Sequence, residues 1–531
     1  MRRWNGWGDE SIHVALPEEG ARLLRRSLGE GRPQTDCTFE SLLHRIPACR
    51  IPPHPCIQTD APTRLIHSHG QSLPDWVGLR AGSLERFPDG VAFPENSEQV
   101  EDLFQFCRAQ HVIVIPHGGG TSVVGHLQIP AKDLPVLSLS MKRMNQMMAL
   151  NATDQLATFG AGISGLQLEG TLQPKGFTLG HFPQSFEYSS LGGWVATRSC
   201  GQQSSYYGRI EDLYAGGELI SPIGRLVLPN FPASAAGPDL RQLVLGSEGR
   251  MGVLTRVTVR LSRIPEKDDV YTFFFPTWQS GISAVRTIAR AGISFSMMRL
   301  SNPAETRTLL SLAGNKGKVD WLERYLRWRG LPRDHACICL IGFTGTRRQV
   351  RTARCESLAV IRRNNGIALG KLLGKQWKKN RFRTPYLRNT LWNCGYAVDT
   401  FETAVNWDGV TATLTAIETA VGDSLAAWKE NVHAFSHLSH VYPTGSSLYT
   451  TVVFRLADAA EEILARWRAI KAAACRTITA GGGTISHQHG VGTDHRGYLE
   501  KEKGSLGIGL LKQVYRHIDP EGLMNPEKLI E

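Results

Sequence analysis

PHGGGTSVVGH, Pro116–His126, is the stretch on which the reading of this 531-residue chain turns. The apolar run HVIVI predicts a buried strand. Three glycines and a Thr-Ser pair then predict a loop that lets backbone approach a bound group closely. No Lys follows the glycines as a Walker A loop requires, and Val123 stands where a Rossmann fingerprint needs its third glycine. The physics survives both mismatches. Successive small residues expose amides that converge on an anion such as a diphosphate, and the Thr121 and Ser122 hydroxyls add donors. Taken by itself, a tight strand-exit turn fits equally well.

Working outward, GHFPQSFEYSSLGGWVATRSCG (180–201) and GSEGRMGVLT (246–255) are two more loops of small and hydroxyl residues. Spread over three segments, such loops suit a large flat cofactor threaded between them. The candidate cofactor-binding residues are Pro116, His117, Gly118, Gly119, Gly120, Thr121 and Ser122 in the first segment. The second adds Gln184, Ser185, Phe186, Glu187, Tyr188, Ser189, Ser190, Thr197, Arg198, Ser199 and Cys200. The third adds Glu248, Gly249, Arg250, Met251, Gly252, Val253 and Leu254.

Composition narrows the class. With 41% hydrophobic and 20% charged residues the chain reads as globular. No apolar run approaches the roughly 20 residues that span a bilayer. MRRWNGWGDESIHV lacks the apolar core of a signal peptide, and the ending EKLIE is neither an SKL-type address nor a prenylation box, so a cytoplasmic location is expected. Ten cysteines form no C-x-x-C pair, and no metal site is expected. The net charge of +12 suits an acidic membrane surface or a phosphorylated substrate; no nucleic-acid-binding pattern accompanies it.

The expected organisation is an irregular, partly helical N-terminal extension (1–82), a cofactor domain (83–264), a mixed cap domain (265–465) and a C-terminal segment (466–531) that completes the site. SEQVEDLFQFCRAQ predicts a helix with Ser97 as N-cap and Val100, Leu103, Phe104 and Cys107 on one face. VDWLERYLRWRG gathers Trp321, Leu322, Tyr325 and Trp328 by helical spacing. Docking on the core is the ordinary expectation for such a helix, and lying in a membrane interface is the sharper one.

The three loops, in this order, resemble the FAD-binding fold of the vanillyl-alcohol-oxidase type (PCMH-type) flavoproteins. Nearly end to end, the phrases RWNGWG, RLIHSHGQSL, ERFPDGV, PQSFEYSSLGGWVATR, GPDLRQLVLGSEG, DTFETAVNWD and GGGTISHQHGVG resemble the alkyldihydroxyacetonephosphate synthase family. The resemblance implies an α+β fold, with a two-subdomain FAD domain beneath a cap. It also implies non-covalent FAD and exchange of the acyl chain of acyl-dihydroxyacetone phosphate for a long-chain fatty alcohol, through a flavin N5 adduct and without net redox. A peripheral membrane surface is an expected partner; a homodimer is left open.

Family roles transfer to matching positions only. In SSLYTTVVFRL, alternation puts Leu448, Thr450, Val452 and Phe454 on one strand face and Tyr449 on the other. Tyr449 matches the family's proton-transferring tyrosine, although a phenol with a pKa of ~10 is a poor base without nearby positive charge. His487 and His489 belong to the family's three-histidine stretch, with Gln488 in the middle place, where no proton can be carried. Arg299 matches an arginine needed for activity, Arg388 one that binds substrate phosphate, and His181 a histidine near the flavin. KLLGKQWKKNRFRTPYLR, with seven Lys or Arg and no acid, reads as an anion funnel, a solvated charge run or a lipid-facing patch. Two other readings stay open: an FAD-dependent D-2-hydroxy-acid dehydrogenase, and a flavin-binding membrane-associated protein without catalysis.

Overall fold

The computed structural model describes residues 1–332 and 334–530. The predicted strand is Ile113–His117, at one edge of a four-stranded sheet and parallel to Val136–Ser140. The glycine loop leaves from its C-terminal end. Helix Ser97–Ala109 buries Val100, Leu103, Phe104 and Cys107 in the same core. Its N-cap is Asn96 rather than Ser97. The Asn96 side chain accepts the Gln99 N–H at 2.9 Å, while buried Ser97 donates to Glu218. A five-stranded antiparallel sheet follows, ordered Met147–Asn151, Leu156–Gly160, Val253–Arg260, Tyr214–Ser221 and Gly224–Leu228.

The second half is a seven-stranded antiparallel sheet. Its order is Ile367–Gly370, Lys267–Phe275, Cys337–Gly345, Met297–Ser301, Val432–Val441, Gly445–Arg455 and Tyr396–Asn406. One face carries Phe273, Phe275, Ile341, Leu438 and Leu448 and is covered by helices Trp278–Arg290, Arg347–Arg363 and Val410–Asp423. At roughly 1.5–3 kcal/mol per buried large apolar side chain, this face anchors the sheet. The other face looks toward the glycine loops.

The C-terminal segment returns to the first half. The Val114 N–H donates to the Leu523 carbonyl and the Asn525 N–H to the Val114 carbonyl, both at 2.9 Å, so the tail covers the edge strand beside the glycine loop. Residues 1–82 are partly helical, as the sequence leads one to expect. Helices Glu18–Leu28, Ala61–Ile66 and Leu73–Arg80 occupy them, the last two capped by Asp60 and by a Ser72–Asp75 capping box. The segment is also woven into the centre of the molecule. Arg2 Nη2 donates to the Gly119 carbonyl at 2.6 Å, and the Asn389 side chain pairs with both backbone groups of Trp7 at 3.0 Å.

Helix Lys316–Trp328 does not bury its aromatic face: Trp321 is 60% and Trp328 79% exposed, and Leu326 is its buried residue. All ten cysteines are unpaired. Among the described residues, no helix is long and apolar enough to cross a membrane.

Candidate active site

A cavity of about 550 Å³ lies between the glycine loops and the open face of the seven-stranded sheet. All seven residues Pro116–Ser122 line it, together with Gln184, Ser185, Ser189, Ser190, Thr197, Ser199 and Cys200, and with Glu248, Gly249, Gly252, Val253 and Leu254. The glycines are required there. A Cβ on Gly118 would overlap the Ser190 hydroxyl, one on Gly119 would overlap the Tyr188 carbonyl, and Gly120 has φ +64°. His117 Nε2 and Asn525 Oδ1 are shielded from solvent and unpartnered at this end. Glu248 ties the third loop to the tail, accepting the N–H groups of Val491 (2.6 Å) and Gly492 (2.8 Å). A cradle of exposed amides, hydroxyls and unpaired polar atoms fits a flavin dinucleotide.

Strand alternation builds the other end. On the open face, Glu402, Tyr449 and His437 are cross-strand neighbours in one row, and Thr400, Thr451 and Phe435 form the next. The Tyr449 phenol stacks on His437 (5.1 Å between ring centroids) and meets the edge of His489 (5.6 Å). Burial, with the Glu402 charge added, pushes its pKa up to about 12 against the opposing pull of the Thr400 hydrogen bond and Arg299. Glu402 is wrapped by the glycine-bounded turn, accepting the N–H groups of His487 (3.0 Å), Gln488 (2.9 Å) and His489 (2.8 Å) and the Ser486 hydroxyl (2.9 Å). Burial opposes its ionisation. The neighbouring imidazoles and those amides overcome that and hold the carboxyl well below the usual range.

The two histidines of the turn part company. His489 lines the cavity, whereas His487 turns behind it. There its Nε2 accepts from Arg209 (2.8 Å) and from the Tyr442 hydroxyl (2.7 Å), and burial lowers its pKa to about 4. Cys200, His440 and His487 could together offer three metal ligands. The Arg209 guanidinium already occupies His487, and His440 donates to the Gly201 carbonyl and accepts from Ser439, so these groups are satisfied without an ion.

Arg299 lines the cavity but spends itself on Glu305 (2.8 Å). Glu305 also accepts from His437 Nδ1 (2.9 Å); against the cost of burial, Arg299 and then His437 bring its pKa down to about 2. Arg388 is different. Its Nη1 donates to the Gln71 carbonyl at 2.6 Å and its guanidinium lies 4.1 Å from the Trp76 ring centroid. Its Nε and Nη2 are shielded and unpartnered. Burial lowers its pKa to about 10, leaving it charged. By contrast, Lys371 and Lys378 of the same basic run are paired with Asp269 and Asp268.

Several expected cofactor contacts point elsewhere. Arg198 caps its helix and donates to the Leu245 carbonyl (3.1 Å); Arg250 donates to Met524 and Asn525 carbonyls; Met251 is core. Phe186 stacks on Phe382, Tyr188 meets the Tyr386 hydroxyl at 2.8 Å, and the Glu187 carboxyl interacts with Arg383 and Tyr386. His181 is buried against Trp194 with Nε2 3.2 Å from the Ser199 hydroxyl, one layer behind the cavity wall. The sequence reading missed Glu402, Glu305, His437, Arg209 and the apolar wall of Leu16, Leu23, Leu24, Leu309, Leu312 and Val453.

Family models match both halves: "FAD binding domain" over residues 88–228 and "FAD linked oxidases, C-terminal domain" over 264–529. The alkyldihydroxyacetonephosphate synthase of Dictyostelium discoideum is 31% identical, covering 99% of this chain and 93% of that protein. This chain belongs to the alkyldihydroxyacetonephosphate synthase family of FAD-binding proteins. The family member of Trypanosoma brucei brucei is 27% identical over 99% of this chain and 92% of its own. A solved alkyldihydroxyacetonephosphate synthase superposes with a TM-score of 0.85 at 26% identity, covering 99% of both chains. The two family models make FAD the cofactor of this chain.

Proposed function

We propose that the chain makes ether lipids, converting acyl-dihydroxyacetone phosphate and a long-chain alcohol into alkyl-dihydroxyacetone phosphate and a fatty acid. One observation carries the reading. A single cavity joins the glycine cradle to Tyr449, to a charged guanidinium with two free donors, and to a wall of leucines. The guanidinium suits a phosphate dianion, and the leucines suit an alkyl chain. FAD, when bound, supplies an electron sink that lets the substrate carbon lose its carboxylate without net oxidation.

The chain's own residues do the rest. Arg388 holds the phosphate and so fixes which carbon faces Tyr449. Tyr449 takes the proton from the carbon beside the ketone and later returns it. His489, edge-on to the phenol and anchored through Glu402, keeps that ring in place. Val453 and Val398, one row beyond Thr451, continue the wall along the strands, and Leu16, Leu24 and Leu391 close it.

The substrates enter from a membrane surface in this reading, and the protein works as a peripheral one. Helices Lys316–Trp328 and Leu372–Asn380 both pack on the cavity face of the sheet, through Phe274 and Val270, and expose Trp321, Trp328 and Leu372 among Lys and Arg side chains. Trp377 of the second helix lines the cavity itself.

The test is anaerobic. Mixing the yellow protein with acyl-dihydroxyacetone phosphate bleaches the flavin and releases fatty acid, and a fatty alcohol restores the colour with no electron acceptor. Bleaching by D-lactate or D-2-hydroxyglutarate instead, or no response to the phosphate ester, refutes the reading.

A further inference from the structure

The exchange needs a second proton acceptor. Tyr449 takes a proton from carbon, but the alcohol that replaces the carboxylate must also lose its O–H proton as the new C–O bond forms. We propose that His437, held by Glu305, is the general base for that alcohol. The assignment rests on the function proposed above and names a role for a side chain that the phenol chemistry leaves unused.

The geometry is specific. Glu305 is buried at the start of helix Pro303–Ser311, where the Asn302 side chain accepts its N–H at 2.8 Å. Its Oε1 accepts the His437 Nδ1–H at 2.9 Å, which fixes the tautomer and leaves Nε2 as a lone-pair acceptor. His437 lines the cavity and stacks on Tyr449, so both bases serve one reacting carbon from adjacent positions. The other imidazoles are placed less well. His489 Nδ1 stands 3.7 Å from Glu402, His487 Nε2 is taken by Arg209 and Tyr442, and His440 Nε2 is spent on the Gly201 carbonyl. Burial and Arg299 outweigh Glu305 and lower the His437 pKa, so the ring rests neutral and able to accept.

The step balances without an added oxidant or reductant. An oxygen lone pair of the alcohol forms a C–O bond at the carbon whose C–O bond to the carboxylate has broken, the carboxylate having left with that bond's electron pair, so one C–O bond replaces another. The O–H electrons stay on oxygen, the proton passes to His437 Nε2, and the resulting imidazolium is stabilised by the Glu305 carboxylate until solvent takes the proton. Arg299, bridging to Glu305 Oε1 at 2.8 Å, is a positioning residue in this scheme, fixing the carboxylate that fixes the imidazole.

The experiment separates the two halves of the exchange by flavin absorbance. In His437→Gln, bleaching by acyl-dihydroxyacetone phosphate proceeds within about threefold of wild type. Colour recovery with hexadecanol slows at least about a hundredfold, the usual weight of a general base. Recovery with hexadecanethiol, whose S–H is far more acidic than the alcohol O–H, is slowed far less. Glu305→Gln, which leaves the imidazole in place, slows alcohol recovery by about tenfold and spares the thiol. In wild type, recovery with alcohol carries a larger solvent deuterium isotope effect than recovery with the thiol. This last measurement stands even if neither variant holds FAD. Equal slowing of bleaching and recovery, equal penalties for alcohol and thiol, unchanged recovery, or no isotope difference in wild type overturns the assignment. Wild-type protein that never bleaches refutes the proposed function and this role with it; normal bleaching with normal variant recovery refutes this role alone.

Discussion

Arg388 offers the sharpest quantitative test of the site. Its Nη1 bond to Gln71 and its stacking on Trp76 hold the guanidinium before any ligand arrives, so Nε and Nη2 meet a phosphate with little reorganisation. Two hydrogen bonds to a charged group contribute about 1.5–3 kcal/mol each, or roughly 3–6 kcal/mol together. Arg388→Met therefore lowers kcat/KM for acyl-dihydroxyacetone phosphate by about 10² to 10⁴, at ~1.4 kcal/mol per tenfold. Arg388→Lys keeps the charge but loses the planar fork, and falls between the two. The decisive assay compares the phosphorylated ester with acyl-dihydroxyacetone, which lacks the phosphate. Wild type prefers the phosphorylated ester strongly, and Arg388→Met loses that preference while handling the phosphate-free ester as wild type does. If the variant keeps the preference, or loses both substrates equally, Arg388 is a packing residue and the phosphate lies elsewhere.

Other outcomes follow from the same geometry. Tyr449→Phe keeps FAD, read by its visible spectrum, but abolishes bleaching. In wild type, forming a phenolate from a group held at about 12 costs roughly 6 kcal/mol at pH 7.5, so the bleaching rate rises steadily between pH 7.5 and 9.5; a flat profile there excludes Tyr449 as the base. Asp494 is raised to about 7, burial being the main cause. A raised carboxyl gives stability that is full below its unfolded value near 4 and lost as pH rises through 7. Thermal melts should accordingly show Asp494→Asn gaining on wild type between pH 5.5 and 8.5, and a constant difference would count against it. Replacing Trp321 and Trp328 together by Ala weakens binding to anionic lipid vesicles by tenfold or more in a sedimentation assay. Turnover of detergent-dispersed substrate stays unchanged, because both rings stand in solvent.

What was legible in the sequence is what local pattern fixes. The glycine loop follows a buried strand, and Tyr449 faces opposite Leu448 and Val452, because both are decided within a few residues. The N-terminal segment reads only as partly helical because Ala61–Ile66 and Leu73–Arg80 are short and closed by the caps Asp60 and Ser72 inside Pro-rich sequence. Arg388 lay in a run of seven basic residues that read alike; burial and the acids across the sheet, Asp268 and Asp269, tell them apart. His487 and His489 look equivalent in SHQHGVG, yet two residues of turn send one to Arg209 and the other to the cavity.

The remaining site residues depend on register, which no local window contains. His437 and Tyr449 sit on consecutive strands and Glu402 on a strand tens of residues earlier, and they form a row only because Glu402 pairs with Tyr449 and Tyr449 with His437. Slipping Gly445–Arg455 by one residue would put Leu448 against the cavity and Tyr449 into the core of Phe273 and Ile341. The apolar face covered by three helices is therefore what prevents that slip, and it aims the chemistry without touching it. One signal was available: in YAVDTFETAVN the charged Glu402 falls on the face opposite Phe401 and Thr403, inside a strand too apolar to be exposed. A buried carboxylate there demands donors, and the turn carrying His487 and His489 supplies them. The strand and the glycine-bounded turn thus require each other, which is why the tail must fold back across the sheet before the phenol has its neighbours.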